Sequence, residues 1–308
     1  MHHVVVALES FFCPVPDFAL PAPHTYELRD YSRTTPAQVA ERIHDAEIVI
    51  VTTLPLTAEA LSAEVSPRLR MVGVIASGTD SVDLAACQAR GIVVANTPHC
   101  NATAVAEHAL ALYLAARRSV ALTSTLTRSG ETCRDEVAGI VGYGAVGNQI
   151  EAAARSLGMK ILISGRKGAP APEGRVPFDA LIRESTVIFI CLPRSPEALN
   201  LISDTEFDVM KPYAVLVNVS RGGIVDESAL VSALRDKKIA GAGTDVYSRE
   251  PAGPDNNPLL APDTADLNLV TTPHVAWCAE DTNDNYNRAL KDNVTGWLTT
   301  GEPKFRVV

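Results

Sequence analysis

Short apolar runs rich in β-branched residues alternate with helix-like segments along the first third of the chain. This alternation predicts βα units, because a buried strand shows a continuous apolar run and a covering helix repeats its apolar residues every three to four positions. The predicted strands are VVVAL (4–8), AEIVIVT (46–52), RMVGVIA (70–76) and IVVAN (92–96), and the predicted helices are TPAQVAERIHDA (35–46) and SVDLAACQARG (81–91). Gly91 fits a helix C-cap. Together they indicate a parallel sheet covered on both faces.

A second alternation begins after a long helical stretch, ATAVAEHALALYLAARRSVALTSTLTR (102–128). Small and apolar residues are too dense there for a helix that faces solvent, so we expect it to lie between domains or at a subunit contact. Six further strands are predicted: VAGIVG (137–142), KILIS (160–164), TVIFICL (186–192), YAVLVNV (213–219), IAGAGTDV (239–246) and LNLVTT (267–272). Residues 281–301 predict a last helix that ends at Gly301 and completes the first unit.

Composition and charge restrict the class of protein. With 308 residues, 46% hydrophobic and 20% charged, the chain has the balance of a globular protein with room for two domains. No apolar run approaches the roughly 18 residues of a membrane span, and the start resembles no signal peptide. The net charge of −9 argues against nucleic-acid and anionic-membrane partners. Six scattered cysteines without a C-x-x-C pair predict reduced thiols in a cytoplasmic protein.

A glycine fingerprint follows the first strand of the second unit. Gly142, Gly144 and Gly147 have the G-x-G-x-x-G spacing between a predicted strand and a predicted helix. Such glycines allow a tight turn, close backbone approach to a pyrophosphate, and close helix–strand packing, and the helix N-terminus attracts the phosphates. Together with Ala145 and Val146 they form a predicted dinucleotide site, although the same spacing also occurs in plain tight connections.

The turn ISGRKGA (163–169) lies where an acid usually binds the adenosine ribose, about 20 residues beyond the fingerprint. Gly165 cannot supply that acid but leaves room. Arg166 and Lys167, helped by Ser164, place cationic donors there, which suits a 2′-phosphate. We therefore expect NADPH as the cofactor, with weaker use of NADH. The alternative is a basic surface turn beside a degraded site.

Polar residues mark the ends of later strands, where open α/β sheets bind ligands. Arg221 follows LVNVS, Glu250 follows TDVYSR, His274 follows LVTTP, and Asp245 lies within GTDV. The set suits reduction of a 2-keto acid. Arg221 can bind the substrate carboxylate, His274 can protonate the carbonyl oxygen, and Glu250 can hold the imidazole and favour its charged form.

Several stretches along nearly the whole chain together resemble the D-isomer-specific 2-hydroxyacid dehydrogenases. They are ASGTDSVDLAACQARGIVVANTP (76–98), AVAEHALAL (104–112), GIVGYGAVG (139–147), CLPRSPEALNLI (191–202), LVNVSRGGIVDESAL (216–230), GAGTDVYSREP (241–251) and TPHVAW (272–277). The resemblance implies two Rossmann-like doubly wound parallel-sheet domains. A flavodoxin-like substrate domain (1–102 and 277–308) is split by an inserted NAD(P)-binding domain (103–276), with the active site in the cleft.

The resemblance also assigns roles to residues and implies a subunit contact. Arg221 becomes the substrate-binding arginine, His274 the acid/base and Glu250 its partner, and Asp245 falls near the nicotinamide carboxamide. Ser77 and Gly78 fall at the substrate carboxylate, and Pro193 on the loop lining the cofactor. A homodimer through the helix 102–128 is implied. Within the family, ASGTDSVD and PHVAW are most similar to glycerate dehydrogenases and hydroxypyruvate or glyoxylate reductases.

One segment departs from the family and leaves the substrate open. TRSGETCRDEVAGIVG (127–142) is shorter than its usual counterpart and has no Trp. From the strand-end residues and the basic turn we expect an NADPH-preferring reductase of small 2-keto acids such as glyoxylate or hydroxypyruvate. The departure leaves two alternatives open. The first is a specialised biosynthetic reductase of a bulkier keto acid. The second is a cofactor-sensing interaction protein similar to the C-terminal-binding corepressors, which retain the same catalytic residues.

Overall fold

A computed structural model of the chain describes residues 1–120, 122 and 132–308. They form two compact units, one of Met1–Asn101 with Cys278–Val308 and the other of Ala102–Trp277. Each junction differs by one residue from the boundary expected above.

The strands are β1 (His2–Ala7), β2 (Thr25–Asp30), β3 (Ile48–Val51), β4 (Met71–Val74), β5 (Val93–Ala95), β6 (Val137–Val141), β7 (Lys160–Ile163), β8 (Val187–Ile190), β9 (Val215–Asn218), β10 (Gly241–Thr244) and β11 (Leu269–Thr271). The α-helices are α1 (Val39–Ile43), α2 (Leu84–Arg90), α3 (Ala102–Arg117), α4 (Ala145–Ser156), α5 (Phe178–Glu184), α6 (Asp204–Phe207), α7 (Glu227–Arg235) and α8 (Glu280–Thr300). Every pair of neighbouring strands is parallel.

The first unit is built on a five-stranded sheet with the order β2-β1-β3-β4-β5. Strands β3 and β4 are buried over their whole length, which explains the continuous apolar runs that predicted them. Strand β2 was missed because, within the described part of the chain, it pairs with β1 alone at the edge of the sheet, and its residues are exposed or half-buried. No apolar run marks such a strand.

The last helix packs on the first unit. A Cβ atom at Gly73 on β4 would lie 2.9 Å from Cδ1 of Leu290 on α8, so helix and strand approach closely here and a side chain at position 73 would make the Leu290 side chain shift. Helix α8 ends at Gly301, whose φ of +83° is easy for glycine and whose N–H donates to Trp297 O. Helix α2 ends in the same way at Gly91.

The second unit is built on a six-stranded sheet with the order β11-β10-β9-β8-β6-β7. The first strand, β6, lies between β7 and β8, so the chain departs to both sides of it and creates the switch point at which such sheets bind nucleotides. The two parallel α/β sheets confirm the predicted fold class.

Helix α3 is shorter than predicted. The prediction of a helix over 102–128 is wrong for residues 118–120, which form a turn; residues 121 and 123–128 lie outside the described residues. Ser119 has a φ of +52°, Ser119 N–H donates to Ala116 O, and Val120 N–H donates to Ala115 O. These bonds form a Schellman-type end, and the Ser- and Thr-containing stretch that follows has low helix propensity.

Helix α3 packs on the sheet of the second unit. A Cβ at Gly243 on β10 would lie 2.8 Å from Cβ of Leu112. Over the described ranges, none of the helices combines the length and the apolar character that a membrane span requires. All six cysteines are free.

Candidate active site

His274 lies just beyond β11 in a backbone conformation that non-glycine residues rarely adopt. Its φ is +55°. The surroundings hold it there, because its N–H donates to Asp245 O (2.8 Å) and its carbonyl accepts from Nε1 of Trp277 (2.9 Å). Strained residues held by their neighbours are common at functional sites.

The imidazole of His274 forms a close pair with Glu250. Nδ1 of His274 lies 2.6 Å from Oε2 of Glu250, while Oε1 of Glu250 accepts from the N–H of Tyr247 at 3.0 Å. Burial by itself would raise the pKa of the Glu250 carboxyl. The hydrogen bond and charge of His274, the Tyr247 amide and the charge of Arg221 outweigh that effect and lower the pKa. The carboxylate is therefore ionised at neutral pH and orients the ring.

Arg221 follows β9 on a turn that Asn218 builds. The Oδ1 atom of Asn218 accepts from the N–H and Oγ of Ser220, and its Nδ2 donates to Arg221 O (3.0 Å). Asn218 is 4% exposed, so these bonds form a buried knot at the end of the strand. Nη1 of Arg221 donates to Ser220 O at 2.9 Å. Sequence reasoning missed Asn218, although a polar residue inside the apolar run LVNVS is the available signal.

The loops that carry Arg221, Glu250 and His274 are in contact. A Cβ at Gly222 would lie 1.8 Å from the carbonyl carbon of Tyr247, so only glycine allows the two backbones to meet. The Tyr247 hydroxyl donates to Thr272 O (3.0 Å), two residues before His274. The structure thus brings the three predicted catalytic residues to one edge of one sheet, and Tyr247 joins their loops.

Asp245 is fully buried beneath the His274 loop. Its carboxylate accepts from Oγ1 of Thr272 (2.6 Å) and from the N–H groups of Val275 (2.9 Å) and Ala276 (2.8 Å). Nε2 of His108 on α3 lies 2.8 Å from Oγ1 of Thr272. The Thr272 proton goes to Asp245, so His108 Nε2 must donate to Thr272.

The geometry gives Asp245 a structural task in addition to the contact with the nicotinamide carboxamide, which stays a prediction. No local pattern groups His108 and Thr272 with it. A histidine in the apolar helix AVAEHALAL was the available signal.

The glycine fingerprint has the geometry of a phosphate-binding turn. Gly142 has a φ of +95°, and a Cβ there would lie 2.7 Å from the Cys191 backbone. A Cβ at Gly147 would lie 2.5 Å from Gly142 O, so the lack of a side chain at Gly147 lets α4 pack close to β6. Among the described residues no atom lies within 4 Å of a Cβ at Gly144, the N-cap, so this side of the turn is open to a ligand. Ala145 and Val146 begin α4, whose free amides suit a pyrophosphate.

The residues predicted to bind the cofactor in the basic turn after β7 have different surroundings. Arg166 is exposed, whereas Nζ of Lys167 lies 2.7 Å from Oε1 of Glu206. Ser164 is 4% exposed and forms a backbone bridge with Val176. A Cβ at Gly165 would lie 3.0 Å from Cα of Ala171, so the lack of a side chain at Gly165 lets the loop that contains Ala171 pass close to it.

The remaining predicted residues lie on loops that follow other strands of the two units. Pro193 is exposed two residues beyond Cys191, after β8. Ser77 and Gly78 follow β4 in the first unit, where Ser77 O accepts from Nδ2 of Asn96 at 2.7 Å. Their roles stay predictions. Over the described residues, no group of three or more His, Cys, Asp or Glu side chains could hold a metal ion.

Comparisons with known proteins agree with this geometry. Residues 103–276 match the family model of the D-isomer specific 2-hydroxyacid dehydrogenase, NAD binding domain. Glycerate dehydrogenase of Methylorubrum extorquens is 35% identical over 313 residues, 96% of this chain and 95% of that relative. Glyoxylate reductase of Pyrococcus furiosus is 34% identical, over 81% of this chain and 79% of its own length.

A solved structure extends the comparison over the whole chain. The NADPH-dependent glyoxylate/hydroxypyruvate reductase of Sinorhizobium meliloti, in complex with NADP and malonate, superposes with a TM-score of 0.81 at 25% identity. The match covers 99% of this chain and 97% of that one.

Proposed function

The chain belongs to the D-isomer-specific 2-hydroxyacid dehydrogenase family and is an NAD(P)-dependent enzyme of that class, and we propose that it is an NADPH-preferring reductase of small 2-keto acids, of the glyoxylate and hydroxypyruvate kind, to D-2-hydroxy acids. The observation that carries this proposal is the 2.6 Å pair of His274 and Glu250 on the same sheet edge as Arg221. The similar glycerate dehydrogenase and glyoxylate reductase support the substrate class.

Each catalytic residue has a separate task in this proposal. Arg221 binds the substrate carboxylate with its guanidinium fork and orients the keto group. Since Nδ1 of His274 faces Glu250, Nε2 is the ring nitrogen that gives its proton to the carbonyl oxygen as the hydroxyl forms. Glu250 holds the ring plane and stabilises the imidazolium before that transfer. The imidazole is 35% exposed, so solvent can return the proton.

The second unit holds the cofactor in this proposal. The fingerprint residues Gly142 to Gly147 and the N-terminus of α4 bind the pyrophosphate, and the turn after β7 binds the adenosine ribose. The bound nicotinamide supplies the hydride. The open side of Gly144 is the observation that fits this group.

The subunit and cellular predictions stand as proposals. We propose a homodimer through helix α3, in which the exposed apolar side chains of Leu114 (39%) on α3 and Val120 (71%) in the turn after it pack against the partner. We propose a cytoplasmic location, supported by the free thiols.

The experiment is a screen of 2-keto acids with NADPH and NADH, followed at the nicotinamide absorbance, for the wild type and His274→Ala. We expect glyoxylate or hydroxypyruvate to be reduced, and the variant to lose about 10²–10⁴-fold in kcat while its NADPH affinity stays the same. The exposed surface residue His44 supplies a matched control, His44→Ala.

Unchanged turnover in His274→Ala would contradict the proposed acid. Preference for a bulkier keto acid would favour the specialised reductase. A complete lack of NAD(P)H oxidation would favour the interaction protein.

A further inference from the structure

The ammonium of Lys167 is already occupied. Nζ lies 2.7 Å from Oε1 of Glu206, donates to Leu201 O at 3.1 Å, and lies 5.5 Å from the centroid of the Phe178 ring. Glu206 is 4% exposed, and its other oxygen accepts from the N–H of Ser203 in a capping box at the start of α6. To bind Lys167, a ligand phosphate would have to displace the buried carboxylate of Glu206. A phosphate that binds an exposed cation without a carboxylate partner avoids that cost. Lys167 therefore serves the packing of its loop.

The backbone brings another cation to the same turn. After Arg166 the chain makes a loop and returns to β7. Val176 N–H donates to Ile163 O (2.9 Å), and Gly165 N–H donates to Val176 O (2.7 Å). These bonds place Arg175, which is exposed, directly beside Ser164, although eleven positions separate the two residues in the sequence.

The guanidinium of Arg175 lies near both turns that a dinucleotide contacts. Its Nη1 is 3.5 Å from Ser164 O, at the end of β7. Its Cζ is 5.7 Å from the ring centroid of Tyr143, the residue between the first two glycines of the fingerprint. This ring contact favours a cation over the aromatic face. Arg175 thus lies beside the place where the adenosine ribose of a bound cofactor meets the sheet.

Arg166 and Arg175 share one further property. Within the described ranges no carboxylate oxygen lies within 4.0 Å of a nitrogen of either guanidinium, in contrast to Lys167. Both side chains can therefore turn to an incoming dianion without breaking an ion pair. Arginine also offers two parallel donors to a phosphate.

We propose that Arg175, and not Lys167, is the second cation of the 2′-phosphate subsite, which it forms with Arg166. This inference rests on the proposed preference for NADPH. Arg175 lies outside the basic run GRK and was not predicted from the sequence.

The direct test is calorimetric binding of 2′,5′-ADP and of 5′-AMP, which differ by the 2′-phosphate, to the wild type and four variants. Arg166→Ala and Arg175→Ala should each weaken 2′,5′-ADP binding by about 10–100-fold, as expected for a lost charged hydrogen bond. Neither should change 5′-AMP binding. Lys167→Ala should change both affinities by the same factor, and Arg183→Ala, an exposed arginine on α5, is the matched control.

Steady-state kinetics supply the second measurement. The KM for NADPH should rise in Arg175→Ala with the KM for NADH unchanged, and Arg175→Lys should restore part of the loss because it keeps the charge without the fork.

The outcomes separate the inference from the proposed function. Suppose that the wild type prefers NADPH and that Arg175→Ala binds 2′,5′-ADP as tightly as the wild type does. That result would overturn the role of Arg175 and leave the proposed preference for NADPH intact. A larger selective loss in Lys167→Ala than in Arg175→Ala would also overturn it. A wild type that does not distinguish 2′,5′-ADP from 5′-AMP would overturn both this subsite and the preference for NADPH. Thermal melting of each variant shows whether its fold is intact.

Discussion

Asp245→Asn tests whether the buried carboxylate holds the His274 loop. The carboxylate accepts three hydrogen bonds, from Thr272 Oγ1 and from the N–H groups of Val275 and Ala276. An asparagine can keep its carbonyl at the Oδ1 position, where it still accepts from Thr272 and Val275. Its NH2 group then faces the N–H of Ala276, so one bond to a charged acceptor is lost and two donors oppose each other.

The magnitude follows from that single lost bond. A hydrogen bond to a charged group contributes about 1.5–3 kcal/mol, so we expect the free energy of unfolding to fall by about 2 kcal/mol. For a unit of this size that corresponds to a Tm lower by about 4–8 °C. Turnover should fall as well, because His274 at φ +55° depends on this loop for its conformation. The KM for the cofactor reports separately on the predicted carboxamide contact.

The assay combines thermal or urea unfolding with steady-state kinetics. Thr272→Val is the companion variant, since it removes one of the three donors and keeps the carboxylate, although it also removes the oxygen that accepts from Nε2 of His108. We expect it to lower the free energy of unfolding by a similar amount, about 2 kcal/mol. If Asp245→Asn melts like the wild type and keeps its kcat, the carboxylate does not hold the loop. If only the KM for the cofactor rises, the carboxamide contact is its main role.

Two further predictions concern charged pairs of the second unit. The lowered pKa of Glu250 means that its ionised form stabilises the fold above the unfolded-state pKa of about 4.3 and that this contribution is lost as the pH falls through the lower folded-state value. The stability deficit of Glu250→Gln should therefore be largest at neutral pH and shrink below about pH 4 in urea unfolding; a deficit independent of pH would contradict the pairing. Arg117 and Glu136 form an ion pair of 2.6 Å whose side chains are 6% and 0% exposed. Arg117→Met should destabilise by about 3–5 kcal/mol because it leaves a buried carboxylate unpaired, and Arg117→Met with Glu136→Leu should recover part of the loss; equal stability of the single variant and the wild type would refute this.

The sequence was sufficient wherever a local pattern has one physical cause. Strands buried on both faces, such as β3 and β4, show continuous apolar runs. Helix ends at Gly91 and Gly301 follow from the ease with which glycine adopts a positive φ. The sequence also predicts the fingerprint glycines from their spacing after a strand. It predicts the strand-end residues Arg221, Glu250 and His274 because the strand ends of a parallel sheet meet at one edge.

Other features depend on which distant groups meet, and no local pattern reports this. Strand β2 forms by pairing at the edge of a sheet, without an apolar run of its own. Helix α3 ends at Arg117, earlier than its composition suggests, where Ser119 adopts a left-handed conformation.

The basic turn shows the same limit at the level of charge. In the sequence Arg166 and Lys167 are equivalent neighbours, and Arg175 is a distant loop residue. Tertiary structure pairs Lys167 with Glu206, 39 positions away, and returns Arg175 to the end of β7. Periodicity determines which face of an element is buried, but the partner of a charged side chain is decided by the folded backbone. A Coulombic contact of a few ångströms depends on distance in space, and sequence separation does not enter it.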